Sequence, residues 1–154
     1  MPLQYTAEIS VSLPRDQVVA IFEDPEQASH WMEGLQSMTP ISGEPGAVDS
    51  VTELDFLMGK RRMVMKETIT ANELPETFSC RYDADGVRNF IDNRFIAVSE
   101  NETRWEMDNV SEFEGFMMKI MGALMPFMFK KQTMTYAQNF KAWAEDGKSV
   151  MQKS

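Results

Sequence analysis

Four side chains in the middle of the chain have the types that acid–base chemistry needs: Glu67, Tyr82, Asp92 and Arg94. Asp92 and Arg94 stand two apart in "FIDNRF", so on an extended backbone they share a face. Such a pair can close on itself as a structural ion pair near the end of a sheet. Alternatively, the guanidinium holds a ligand carboxylate or steadies a developing enolate. Glu67 continues the alternation Met63, Met65, Glu67, which sets a carboxyl among apolar neighbours. Burial raises the pKa of such a group and suits it, or Asp92, to moving a proton, with Tyr82 donating a hydrogen bond beside it.

Other chemistries have little to build on. His30 is the single histidine; it lies beside Trp31 and reads as a surface or packing residue, and sites needing two imidazoles are excluded. Cys80 is the single cysteine, so no disulfide forms within the chain, and mid-strand it reads as a buried, inert thiol. No phosphate-cradling glycine loop, dinucleotide fingerprint or carboxylate metal motif is present, and no cofactor is expected. Met118, Met121, Met125 and Met128 fall near one helical side and offer thioethers to a soft ion such as Cu(I). Pro126 interrupts the helical phase between them, however, and an adaptable apolar wall explains the cluster more simply, so no metal is expected.

The elements that must carry these residues follow from periodicity. "QYTAEISVSL" alternates as a half-buried strand, and Pro14 then opens a helix bearing Val18, Val19 and Phe22. A second short helix in "PEQASHWME" closes at Gly34, and "GEPGAVD" is a turn-rich loop. Four alternating segments form an antiparallel meander. The first carries Thr52, Leu54, Phe56 and Met58 on one face, the second Met63, Met65, Glu67 and Ile69, and the third Phe78, Cys80 and Tyr82. On the fourth, Phe90, Asp92, Arg94, Ile96 and Val98 make the more apolar face. A three-residue loop Ala84, Asp85, Gly86 pairs Cys80 with Phe90 and Phe78 with Asp92, whereas a two-residue Asp85-Gly86 turn slips that register. A last strand turns Thr103, Trp105, Met107 and Asn109 inward. A short helix over residues 115–124 and a long one over 126–145, stopped by Gly147, complete the chain.

This order resembles the helix-grip fold of the START-like or SRPBCC superfamily, the polyketide cyclase/dehydrase and lipid-transport, Bet v 1-like group. The resemblance spans nearly the whole chain. It rests on the first strand ending in Pro14, "VVAIFEDPEQASHWMEGLQSM" with its Asp-Pro and Trp31, "GEPGAVDSV", "ANELPETFSCRY", and the Gly- and Pro-interrupted approach to the last helix. It implies an α+β domain in which a curved antiparallel sheet grips a long C-terminal helix, with two short helices after the first strand. It also implies a hydrophobic cavity between sheet and helix. The cavity residues would be Leu54, Phe56, Met63, Met65, Phe78, Tyr82, Phe90, Asp92, Arg94, Ile96, Trp105, Met107 and Asn109, with Met121, Met125 and Met128 at its entrance. A filled core made of the same residues is the competing arrangement.

Composition narrows the partners. A chain of 154 residues that is 43% hydrophobic and 25% charged fits one globular domain, residues 1–154. A net charge of −9, with no basic run beyond Lys60, Arg61 and Arg62, opposes nucleic acid and anionic surfaces. The apolar stretch 116–129 is too short to span a bilayer, which takes roughly 20 residues, and the start of the chain does not read as a signal peptide. A cytoplasmic protein is expected, monomeric or homodimeric. The favoured activity is binding of a small hydrophobic or amphipathic molecule, lipid-like or aromatic. A cofactor-independent cyclase, dehydratase or isomerase is the alternative, and a protein-interaction module or homodimer built on residues 116–129 is a third.

Overall fold

The computed structural model describes residues 3–124 and 126–152, without the side chains of 117, 122 and 152. Its elements are β1 (Leu3–Val11), α1 (Arg15–Glu23), α2 (Ala28–Trp31), β2 (Leu35–Ser42), β3 (Val51–Met58), β4 (Arg61–Glu73), β5 (Thr77–Ala84), β6 (Val87–Ser99), β7 (Glu102–Phe113), α3 (Phe116–Leu124) and α4 (Pro126–Asp146), with a final 3₁₀ turn at Val150–Gln152. The seven strands form one antiparallel sheet in the order β1-β7-β6-β5-β4-β3-β2. Consecutive strands from β2 to β7 are neighbours, and α1 and α2 carry the chain from one edge of the sheet to the other. The long helix α4 runs along β1 on the inner face of the sheet.

Strict alternation builds the inner face. Along β7 every odd residue from Thr103 to Ser111 is buried, and β1 matches it with Tyr5, Ala7, Ile9 and Val11 turned the same way. Against these lie Val18, Val19 and Phe22 of α1, Trp31 of α2, and Ala137 and Phe140 of α4. Phe140 meets both Trp31 and Trp105 with ring centroids 5.1 Å apart, and Phe22 touches Trp31, Phe78, Phe95 and Trp105. Aromatic contacts of this kind add to ordinary area burial. A second, smaller cluster of Ala28, Leu35, Leu54 and Phe56 sits at the other end, with Met38, Met63, Met65 and Tyr82 packed on it.

The structure adds one strand to the expected set and changes one turn. Residues 35–42, passed over in the sequence, form the edge strand β2. Register shifts at Leu35/Ser37 and Pro40/Ser42 break the period-2 signal, and most of the strand is exposed. The β5–β6 connection is the two-residue Asp85-Gly86 turn, pairing Ala84 with Val87, Cys80 with Ile91 and Phe78 with Asn93. Because side chains alternate with a period of two, that slip of one residue turns the whole of β6 over. Asn89, Ile91, Asn93 and Phe95 face the helix, while Phe90, Asp92, Arg94 and Ile96 face away from it.

Candidate functional site

The inner face of β4 and β5 brings Glu67 and Tyr82 directly opposite each other across the strands. The Tyr82 hydroxyl donates to Glu67 Oε2 at 2.7 Å. On its other side Glu67 is opposite Thr52, and from there the face turns apolar: Leu54 and Phe56 are buried, and Met63, Met65 and Tyr82 pack on them. Burial raises the Glu67 pKa, and the Tyr82 hydrogen bond offsets only part of that rise. Burial likewise pushes the Tyr82 hydroxyl well above its ordinary value, reinforced by the neighbouring Cys80 and Glu67, so it stays a donor. The Cys80 thiol is buried and driven up by the same desolvation, which makes it a poor nucleophile.

Toward β7 this face becomes a band of neutral polar groups. Tyr82 opposes Asn89, and Asn89 opposes Ser111, whose hydroxyl donates to Asn89 Oδ1 at 3.1 Å. Asn89 Nδ2 reaches Asn109 Oδ1 at 3.4 Å, and Asn109 Nδ2 has no partner among the described residues. Across β1, Tyr5 and Thr133 of α4 are hydrogen-bonded through their hydroxyls at 2.8 Å. Asn93 is engaged through both ends of its amide: its Nδ2 donates to the Phe78 carbonyl, and its Oδ1 accepts from Trp105 Nε1 at 2.9 Å. It ties the Phe78 backbone to the Trp105 indole from a position that is 2% exposed.

The expected Asp92–Arg94 centre does not form, and neither residue faces the helix. On the outer face Arg94 donates to Asp108 Oδ2 at 2.6 Å and to Glu106 Oε1 at 3.2 Å, while Arg104 donates to the other Glu106 oxygen. Asp92 is exposed, opposite Asp108. Phe90 and Ile96 share that outer face, and Phe90 is 37% exposed. The physical reason lies in desolvation: both faces of β6 carry aromatic and aliphatic residues, but one adds Arg88, Asp92 and Arg94 where the other adds Asn89 and Asn93. Burying an amide with partners costs far less than burying a charge. That contrast was the signal that would have found Asn89, Ile91, Asn93 and Phe95.

The remaining expected residues divide. Leu54, Phe56, Met63, Met65, Glu67, Phe78, Tyr82 and Asn109 face inward, whereas Trp105 and Met107 are sealed in the aromatic core with Phe95 and Phe140. Met121 and Met128 are 43% and 46% exposed, and Met125 lies outside the described residues. His30 is a packing residue, stacked on Trp143 at 4.1 Å, with its Nδ1 hydrogen-bonded to Ser149 Oγ. An open depression of about 350 Å³ lies apart from Glu67, between α2 and β2, lined by Pro25, Ser29, Leu35 and Met38 among others.

A curved seven-stranded antiparallel sheet closed on a long C-terminal helix, with two short helices after its first strand, defines a helix-grip protein of the Bet v 1-like, SRPBCC class. Within that class the chain belongs to the family described as polyketide cyclase / dehydrase and lipid transport, whose sequence pattern matches residues 2–145. Solved structures agree on the fold. A conserved protein from Geobacillus kaustophilus superposes with a TM-score of 0.77 at 15% identity, covering 92% of this chain and 95% of that one. The Zhui aromatase/cyclase from Streptomyces sp. R1128 gives 0.72 at 9% identity, covering 97% and 100%. Norcoclaurine synthase from Thalictrum flavum, a point mutant bound to a transition-state analogue, gives 0.70 at 14% identity, covering 97% and 98%. No curated protein sequence matches this one.

Proposed function

We propose that the chain binds a small amphipathic molecule, apolar over most of its length, between the sheet and α4, with its polar end at Glu67 and Tyr82. The observation that carries this reading is the carboxyl–phenol pair set in an apolar wall. A protonated carboxyl and a phenol can donate and accept hydrogen bonds without the cost of burying a net charge. Partial exposure of the inward Met63, Met65, Glu67, Phe78 and Tyr82 supports it, because a filled core leaves such side chains fully covered. Concave apolar surfaces with a few placed polar groups are the usual form of a small-molecule site. Membership of a family described by cyclase, dehydrase and lipid-transport activities agrees with it.

The test is a thermal-shift panel of fatty acids, isoprenoids and polyphenols, with native mass spectrometry of the freshly purified protein. A true ligand at about 100 times its Kd should raise the melting temperature by roughly 5–10 °C, and Tyr82→Phe should reduce that gain. No shift across the panel and no co-purifying mass would overturn the reading.

A second reading is favoured by the raised pKa of Glu67: a cofactor-independent cyclase, dehydratase or isomerase in which Glu67 moves the proton and Tyr82 holds the substrate oxygen. Turnover of any substrate found should fall at least 100-fold in Glu67→Gln. An activity that survives this change belongs to other residues.

A further inference from the structure

The two helices that follow β7 leave an apolar face uncovered. Phe116 is 78% exposed, Leu124 72% and Phe127 66%, and Met121 and Met128 on the same two helices are exposed as well. Isolated exposed apolar side chains are ordinary, but five large ones within thirteen residues of two consecutive helices point to an interaction surface. The charge around it is one-sided. Residues 115–144 hold four lysines and no acid, in a chain whose net charge is −9. Lys141 is engaged with Glu145, whereas Lys119, Lys130 and Lys131 are exposed and form no ion pair among the described residues. Helical spacing sets them among the apolar side chains: Lys119 lies three residues after Phe116, and Lys131 lies four after Phe127 and three after Met128. The nearest acids in sequence, Glu112 and Glu114, precede the first exposed apolar residue.

We propose that this face docks on an anionic lipid surface. The net charge of −9 opposes such a surface at long range, but at physiological salt it is screened beyond about 8 Å, and within that distance the lysines of this face dominate. Protruding phenylalanine and leucine side chains enter the boundary between head groups and acyl chains without needing a shaped partner, and flanking lysines extend their stems to keep the ammonium groups at the phosphates. A second copy of the chain fits worse, since a twofold contact would lay one lysine-bearing, acid-free patch on another of the same sign. The contact is superficial, because among the described residues no helix is long and apolar enough to cross a membrane. This proposal does not depend on a ligand at Glu67.

Co-sedimentation of the full chain with vesicles of phosphatidylcholine alone, or mixed with phosphatidylglycerol, tests it. Binding is expected to the anionic vesicles only and to weaken in roughly 1 M NaCl, where screening shortens the Debye length to about 3 Å. The triple change Lys119→Gln, Lys130→Gln, Lys131→Gln should weaken it by about 100-fold. Phe116→Ser with Leu124→Ser and Phe127→Ser should abolish it while the far-UV melting curve stays wild-type. Three results would overturn the proposal: no binding of folded wild-type chain to anionic vesicles, equal binding to neutral vesicles with no effect of the lysine changes, or a wild-type dimer that Phe127→Glu converts to monomer. The last would show a second copy covering the face.

Discussion

Glu67 sits with its carboxyl buried against the Tyr82 hydroxyl, on the face that Met65, Leu54, Met63 and Phe56 continue, and ionisation there is harder than in water. Its folded-state pKa is raised above the ordinary 4.5, so the native chain keeps a proton that the unfolded chain releases. Stability attributable to this residue is intact below pH 4.5 and declines as pH rises toward the raised folded value. Glu67→Gln should therefore match wild type in acid and gain on it steadily above pH 4.5, which melting temperatures across the pH range will show. Glu145 behaves in the opposite sense. Against the cost of burial, its hydrogen bonds from Lys141 and the Ser12 backbone N–H hold its pKa down, so its contribution is lost as pH falls. Asp92 faces water opposite Asp108, and removing a like charge across two strands relieves repulsion of well under 1 kcal/mol. Asp92→Asn should leave denaturant stability unchanged or raise it by about 0.5 kcal/mol, whereas an inward catalytic acid would respond as Glu67 does.

At the scale of elements, the β5–β6 turn decides most. Gly86 takes φ +79°, and a Cβ there would stand 2.7 Å from Met118 Cγ, so the same residue makes the turn and seats α3. Gly86→Ala should cost about 1–2 kcal/mol in chemical denaturation through the strained backbone and the displaced Met118. The strands, the two early helices and the long last helix were legible because single-face alternation and helical spacing are strong in β1, β3, β4, β7 and α4. β6 was not, because Phe90 and Ile96 on one face rival Ile91 and Phe95 on the other, and hydrophobicity alone leaves its parity undecided. Its charges settle the matter: Glu67 and Tyr82 depend only on β4 and β5 and face inward as expected, while Asp92 and Arg94 lie on the outer face. β2 was illegible for a different reason, since two register irregularities and Pro40 erase its period.

Across the whole molecule, packing is uneven. The large aromatic core joins β1, β6, β7, α1, α2 and the C-terminal half of α4, while the β2–β5 end holds a small cluster and half-covered inward side chains. Native-state hydrogen exchange should accordingly show the slowest amides in β7 and around Phe140, with β2 and α3 exchanging at least 100-fold faster. Uniform protection would contradict this division. The three tryptophans, Trp31, Trp105 and Trp143, all belong to the densely packed part, two of them 3% exposed and the third stacked on His30. The chain therefore carries its tryptophans at one end only, with Tyr82 beside Glu67 at the other. Tryptophan emission will track melting of that end, and a titration that shifts it signals rearrangement of the aromatic core rather than occupancy beside Glu67, for which a label introduced on β4 would be the proper reporter.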